Sequence, residues 1–115
     1  LLGTPEKDLL LSLLEAVCVK DTKNIIEVSV QLQKANSSAL RSYDDFIDIV
    51  RTGLLVRVGE FKTENNVISK LATEYPLVIS SRLILELLEK RHLIEVSNSH
   101  AWVAFDAILL LVVEL

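Results

Sequence analysis

The run Trp102-Val103-Ala104-Phe105-Asp106-Ala107-Ile108-Leu109-Leu110-Leu111-Val112-Val113-Glu114-Leu115 carries only two charged residues, and its conformation decides the fold. Its leucine content reads as a helix, the last rod of an all-α domain. Its opening, Trp102-Val103-Ala104-Phe105, also reads as a strand, which would close a winged helix instead. The run is shorter than the ~20 residues a bilayer span needs and holds Asp106, so a buried helix is expected rather than a membrane anchor. A helix apolar around most of its girth must lie between neighbours or inside an assembly.

Just upstream, Ser80 or Ser81 starts a helix that continues through Arg91 or His92 and gives way near Ile94-Glu95-Val96. The polar stretch Ser97-Asn98-Ser99-His100 is a turn. Leu83, Ile84, Leu85, Leu87 and Leu88 cover more than one side of this helix. With Ile84, Leu85 and Leu88 pointing inward, Leu83 and Leu87 fall on the outer side. Together with Trp102, Leu109 and Leu111 of the final run, they form the expected interface. A chain of this size buries roughly two-thirds of the surface it exposes when unfolded, so the aliphatic surplus points to a protein partner.

Composition supports the helical reading. The chain has 115 residues, half of them hydrophobic and only 5% aromatic, so the core must be built from Leu, Ile and Val. Three glycines (Gly3, Gly53, Gly59) and two prolines (Pro5, Pro76) are too few for a turn-rich sandwich or barrel. The net charge is −4, with acids slightly outnumbering bases in every third of the chain, which disfavours a basic nucleic-acid face. Cys18 is the only cysteine and lies in an apolar run, so it reads as a small buried hydrophobe in a reducing, intracellular compartment. The start has no basic n-region, there is no methionine, and the end is abruptly apolar. We therefore expect residues 1–115 to be one helical domain cut from a longer chain.

Helix starts are marked along the first two-thirds. Thr4-Pro5-Glu6 combines a capping hydroxyl, a proline that needs no donor, and an acid at the positive end. Leu10, Leu13, Leu14, Val17 and Cys18 then recur at helical spacing. Asp21 or Thr22 caps a second helix bearing Ile25, Ile26, Val28, Val30 and Leu32, though its β-branched run lowers helix propensity. Asn36-Ser37-Ser38 is a break, and Ser42-Tyr43-Asp44-Asp45 resembles a capping box. Tyr43, Ile47, Val50, Leu54, Val58 and Phe61 trace one face of a helix through Gly53. Alternatively the helix stops at Gly53 and Leu54, Val56 and Val58 alternate as a strand. Thr63-Glu64 opens a helix with Val67, Ile68, Leu71 and Ala72 that stops at Tyr75-Pro76. Leu10–Glu15 and Ile84–Glu89 echo each other, a hint of stacked helical hairpins.

The order of short helix, second helix ending in Leu88-Glu89-Lys90-Arg91-His92-Leu93-Ile94, strand, polar turn and strand over residues 71–105 resembles a winged helix-turn-helix of the MarR type. The resemblance implies an α+β C-terminal half, residues 66–105, with the second helix in the major groove of a nucleic acid and the wing on its backbone. Arg82, Lys90 and Arg91 would then contact phosphates. His92 stands where that family has a glycine, and Leu83 and Leu87 would face base edges they cannot read.

Chemistry-bearing clusters are sparse. Asp44 and Asp48 lie one turn apart beside Asp45, a pattern that reads as a solvated face complementing a helix dipole. His92, His100 and Cys18 do not make a zinc set, and no phosphate loop or nucleophile elbow occurs. Asn36-Ser37-Ser38 satisfies the glycosylation sequon, which matters only in a secreted chain.

The sequence thus predicts an all-α domain of five to six helices, as a compact bundle or a short stack of helical hairpins, with the winged helix as alternative. It predicts a non-enzymatic interaction or scaffold module without cofactor or metal. Its partner is expected to be another protein or a second copy, ahead of nucleic acid, and no membrane span is expected.

Overall fold

The helix boundaries fall at the polar breaks. The computed structural model describes residues 5–35, 38–59 and 65–114. Six α-helices follow in order: α1 (Glu6–Val19), α2 (Thr22–Ala35), α3 (Ala39–Arg57), α4 (Asn66–Glu74), α5 (Ser81–Glu95) and α6 (Ala101–Glu114), with a 3₁₀ turn at Asn98–His100 before α6. Among the described residues there is no strand. The fold is all-α, and the winged-helix alternative is corrected at each of its three strands. Leu54–Val58 completes and caps α3, Ile94–Val96 ends α5, and Trp102–Phe105 is the first turn of α6.

Caps explain most of the starts. Pro5 precedes α1 in an extended conformation; Thr4 lies outside the described residues. α1 ends in a left-handed Lys20 whose amide donates back to Ala16 and Val17, and the Asp21 carboxylate accepts from the Asn24 amide to open α2. Ser38, the last residue of the expected break, caps α3 by accepting from the Arg41 amide. Residues 36 and 37 are outside the described set. The expected capping box at Ser42–Asp45 is therefore corrected: these residues lie inside α3, with Ser42 and Tyr43 buried. Asn65 caps α4 through the amides of Val67 and Ile68, while Phe61 and Thr63-Glu64 are not described. Ser80 caps α5 by accepting from Leu83.

α3 is the central rod, packing on α1, α4, α5 and α6, while α1 pairs with α2 and α5 with α6. Gly53 does not end it. A Cβ placed there would come within 3.1 Å of the Ile79 side chain, so glycine allows the α4–α5 connection to close on the helix. The fully enclosed centre includes Leu13, Leu14, Ile25, Leu32, Tyr43, Phe46, Leu71, Ile79, Leu87, Ile94, Phe105 and Leu109. Tyr43 packs edge-on against Phe105 at 6.1 Å between centroids, and its hydroxyl donates to the Leu87 carbonyl. The radius of gyration, 13.5 Å, is that of a compact chain of this length. With a least extent of 22 Å the body is a slab about two helices thick. Among the described residues no helix is long and apolar enough to cross a membrane.

Candidate interaction surface

α6 is pinned on one side and open on the other. Phe105, Ile108, Leu109 and Val113 enter the core, flanked by half-buried Trp102, Ala104, Leu110 and Val112. On the opposite side Val103 is 62% exposed and Leu111 45%, with Ala107 exposed between them. Residues four apart on a helix share a face, so Val103, Ala107 and Leu111 form one outward row. From Val103 through Leu111 that row has no polar side chain. Asp106 stands at its edge, where the Ser29 hydroxyl of α2 donates to the carboxylate. Burial raises the carboxyl pKa and the Ser29 bond partly offsets this. The one acid in the middle of α6 thus serves as a tie to α2 and does not wet the outer face.

α5 is open in a similar way. Leu85, 65% exposed, lies on its outer side with Leu88, and Val96 follows at the C-cap. The rotation of α5 is set from outside the helix. Tyr43 reaches the Leu87 carbonyl, and Arg91 grips Asp44 of α3 through two hydrogen bonds of 2.7 and 2.9 Å. Those ties turn Leu83, Leu87 and Ile94 inward.

The expected interface is corrected accordingly. Leu83, Leu87 and Leu109 are core residues, and Trp102 is half-buried against Phe105 at 4.9 Å between centroids. Of the five, only Leu111 is exposed. The structure supplies Val103, Ala107, Leu85, Leu88 and Val96 in their place. No sequence signal separates this row from the rest of α6, because nearly every position of the helix is apolar and the tie of Asp106 to α2 is seen only in the structure.

The cations assigned to phosphate contact are mostly committed elsewhere. Lys90 pairs with Glu86 at 2.7 Å, and Arg91 is held by both Asp44 and Glu95. Arg82 is exposed on the rim of a cleft of about 240 Å³. The cleft's floor is Val17, Leu83, Val112 and Val113, and Lys20 and Ser80 share its rim. Leu77 projects beside it, 92% exposed.

The remaining titratable groups do not assemble. Asp44 is engaged with Arg91, whose hydrogen bond holds the carboxyl below the ordinary carboxylate range. Asp45 is pushed upward by partial burial and by the neighbouring acids, Glu6 foremost. Among the described residues no three His, Cys, Asp or Glu side chains come together as metal ligands. Cys18 is buried, and burial followed by the charge of Glu15 pushes its thiol up to about 11, which suits packing and not nucleophilic work. No family model, curated protein or solved structure matches this chain.

Proposed function

We propose that this chain is a non-enzymatic interaction module that binds protein by covering the outward row of α6. The observation that carries the reading is the unbroken apolar sequence Val103, Ala107, Leu111 on a helix whose only interior charge is turned toward α2. Fully burying a Val or Leu is worth about 1.5–3 kcal/mol, so covering two such side chains, each about half exposed, gives roughly 2–3 kcal/mol per surface. Solvent gains nothing from leaving them bare. Leu85 and Leu88 on α5 and Val96 at its C-cap are also exposed, but Glu89 and His92 lie between them, so α6 carries the longer uninterrupted apolar row.

The test is titration with an uncharged environment-sensitive dye, chosen so that the Lys20–Arg82 rim of the cleft does not attract it. The wild-type chain should bind dye, and Val103→Glu combined with Leu111→Glu should lose most of that signal while keeping the helical circular-dichroism spectrum. A wild-type chain that binds no dye and sediments as a monodisperse monomer would overturn the proposal.

A further inference from the structure

The ends of α1, α5 and α6 converge without closing on each other. α1 packs on α2, α3 and α4, while α5 and α6 pack on each other and on α3. The last turn of α1, the first turns of α5 and the last turn of α6 therefore meet around the cleft of about 240 Å³. From α6 the cleft takes Val112 and Val113, which are half-buried and buried, and none of the outward row.

Floor and rim differ in chemistry. The floor is aliphatic, made by Val17, Leu83, Val112 and Val113. The rim is cationic. Lys20 and Arg82 are both exposed, and neither forms an ion pair among the described residues. Glu86 also borders the cleft, but its carboxylate is bound by Lys90 at 2.7 Å. The Ser80 hydroxyl is already engaged, donating to the Val78 carbonyl and accepting from the Leu83 amide. Two positive charges are left to meet an incoming group.

This pairing of floor and rim selects an occupant. A peptide would press unpaired amides and carbonyls onto the aliphatic floor, which is unfavourable for each group so buried. A hydrocarbon body with a single anionic end carries no such groups. At about 30 Å³ for a group the size of a water or a methylene, the cleft holds about eight heavy atoms. We infer that this cleft binds the anion of a medium-chain fatty acid of about eight carbons, with its tail on the Val17, Leu83, Val112 and Val113 floor and its carboxylate at Lys20 and Arg82. Leu77, 92% exposed beside the cleft, gains an apolar neighbour when the tail is in place. An anionic lipid surface presents similar chemistry, but the net charge of −4 opposes approach of the whole chain to it.

Calorimetric titration of the whole chain with hexanoate, octanoate and decanoate reads the fit. Each methylene up to octanoate should raise affinity about two- to four-fold, with a smaller gain per methylene in decanoate as the tail outgrows the cleft. Lys20→Asn combined with Arg82→Gln should bind octanoate about five-fold more weakly and octanol as the wild type does. Asparagine suits the left-handed backbone at position 20, and urea midpoints check both folds. In the methyl-labelled chain, octanoate should shift the resonances of Val17, Val112 and Val113 and leave Val103 in place.

Absence of saturable octanoate binding, an unchanged octanoate affinity in the double variant, or shifts centred on Val103 would each overturn the assignment. So would sedimentation with phosphatidylglycerol vesicles by a chain that does not bind octanoate, since the rim would then serve a membrane surface. The uncharged-dye comparison of wild type with Val103→Glu/Leu111→Glu reads a different face, so failure of either reading leaves the other standing.

Discussion

Truncating two leucines two positions apart on α5 separates the orientation found here from its reverse. Leu87 is fully enclosed, whereas Leu85 is 65% exposed. Leu87→Ala removes three buried carbon groups at about 0.8 kcal/mol each, and the cavity left behind raises the total to about 3–4 kcal/mol. Leu85→Ala removes the same atoms from a site that is about one-third desolvated, with no cavity, for less than about 1 kcal/mol. At about 4 °C per kcal/mol for a domain of this size, the first variant should melt about 12–16 °C below wild type and the second no more than about 4 °C below. Urea unfolding followed by Trp102 fluorescence gives the same comparison, since that ring packs on Phe105 and reports loss of the core. Equal costs at the two positions, or a larger one at Leu85, would refute the rotation of α5 and with it the assignment of the outer surface.

Three other outcomes follow from the buried and paired groups. Asp106→Asn keeps an acceptor for the Ser29 hydroxyl and removes a half-buried charge, so stability at pH 7 should hold or rise by up to about 1 kcal/mol, measured by urea midpoint. The sign follows from the raised folded-state pKa of Asp106: its contribution is fully present below the unfolded pKa and is lost as pH rises through the folded one, and the asparagine variant should lack that pH dependence. Asp44 has the opposite sign, because Arg91 lowers its folded pKa; its stabilisation is present above the unfolded value near 4 and is lost as pH falls through the folded one. Asp44→Asn should therefore flatten the acid limb of a plot of melting temperature against pH below about pH 4. Cys18, with its thiol pushed up to about 11, should react with a chromogenic disulfide reagent at neutral pH only after denaturant is added, and rapid labelling of the native chain would contradict its burial.

Local signals in the sequence carried the element boundaries. Asp21, Ser38 and Ser80 all lie within or beside polar breaks that the sequence marks, and each accepts from the amide three residues on. Such caps depend on neighbouring residues alone. The rotation of α5 was not legible, because leucines or isoleucines at 83, 84, 85, 87, 88, 93 and 94 spread around the helix and its polar row, Arg82, Glu86, Glu89 and Lys90, lies beside the buried row and not opposite it. Its inward side was chosen by partners on α3, Tyr43 and Asp44, which lie more than 40 residues away in sequence. The surplus of aliphatic surface on the last two helices was visible from composition; its location was not, since that required knowing which leucines the core had already taken. Gly53 is a similar case. In sequence it reads equally as a stop or as a gap, and only Ile79 packed against it settles the matter.

Titration of the wild-type chain and of Val103→Lys with an uncharged environment-sensitive dye addresses the role of the α6 face most directly. Val103 lies outside the core, so the variant should fold with nearly unchanged stability. The expected result is dye binding by the wild-type chain that is largely lost in Val103→Lys. Equal dye binding by the two chains, or a lysine variant destabilised as severely as Leu87→Ala, would contradict the claim that this side of α6 is free to receive a partner.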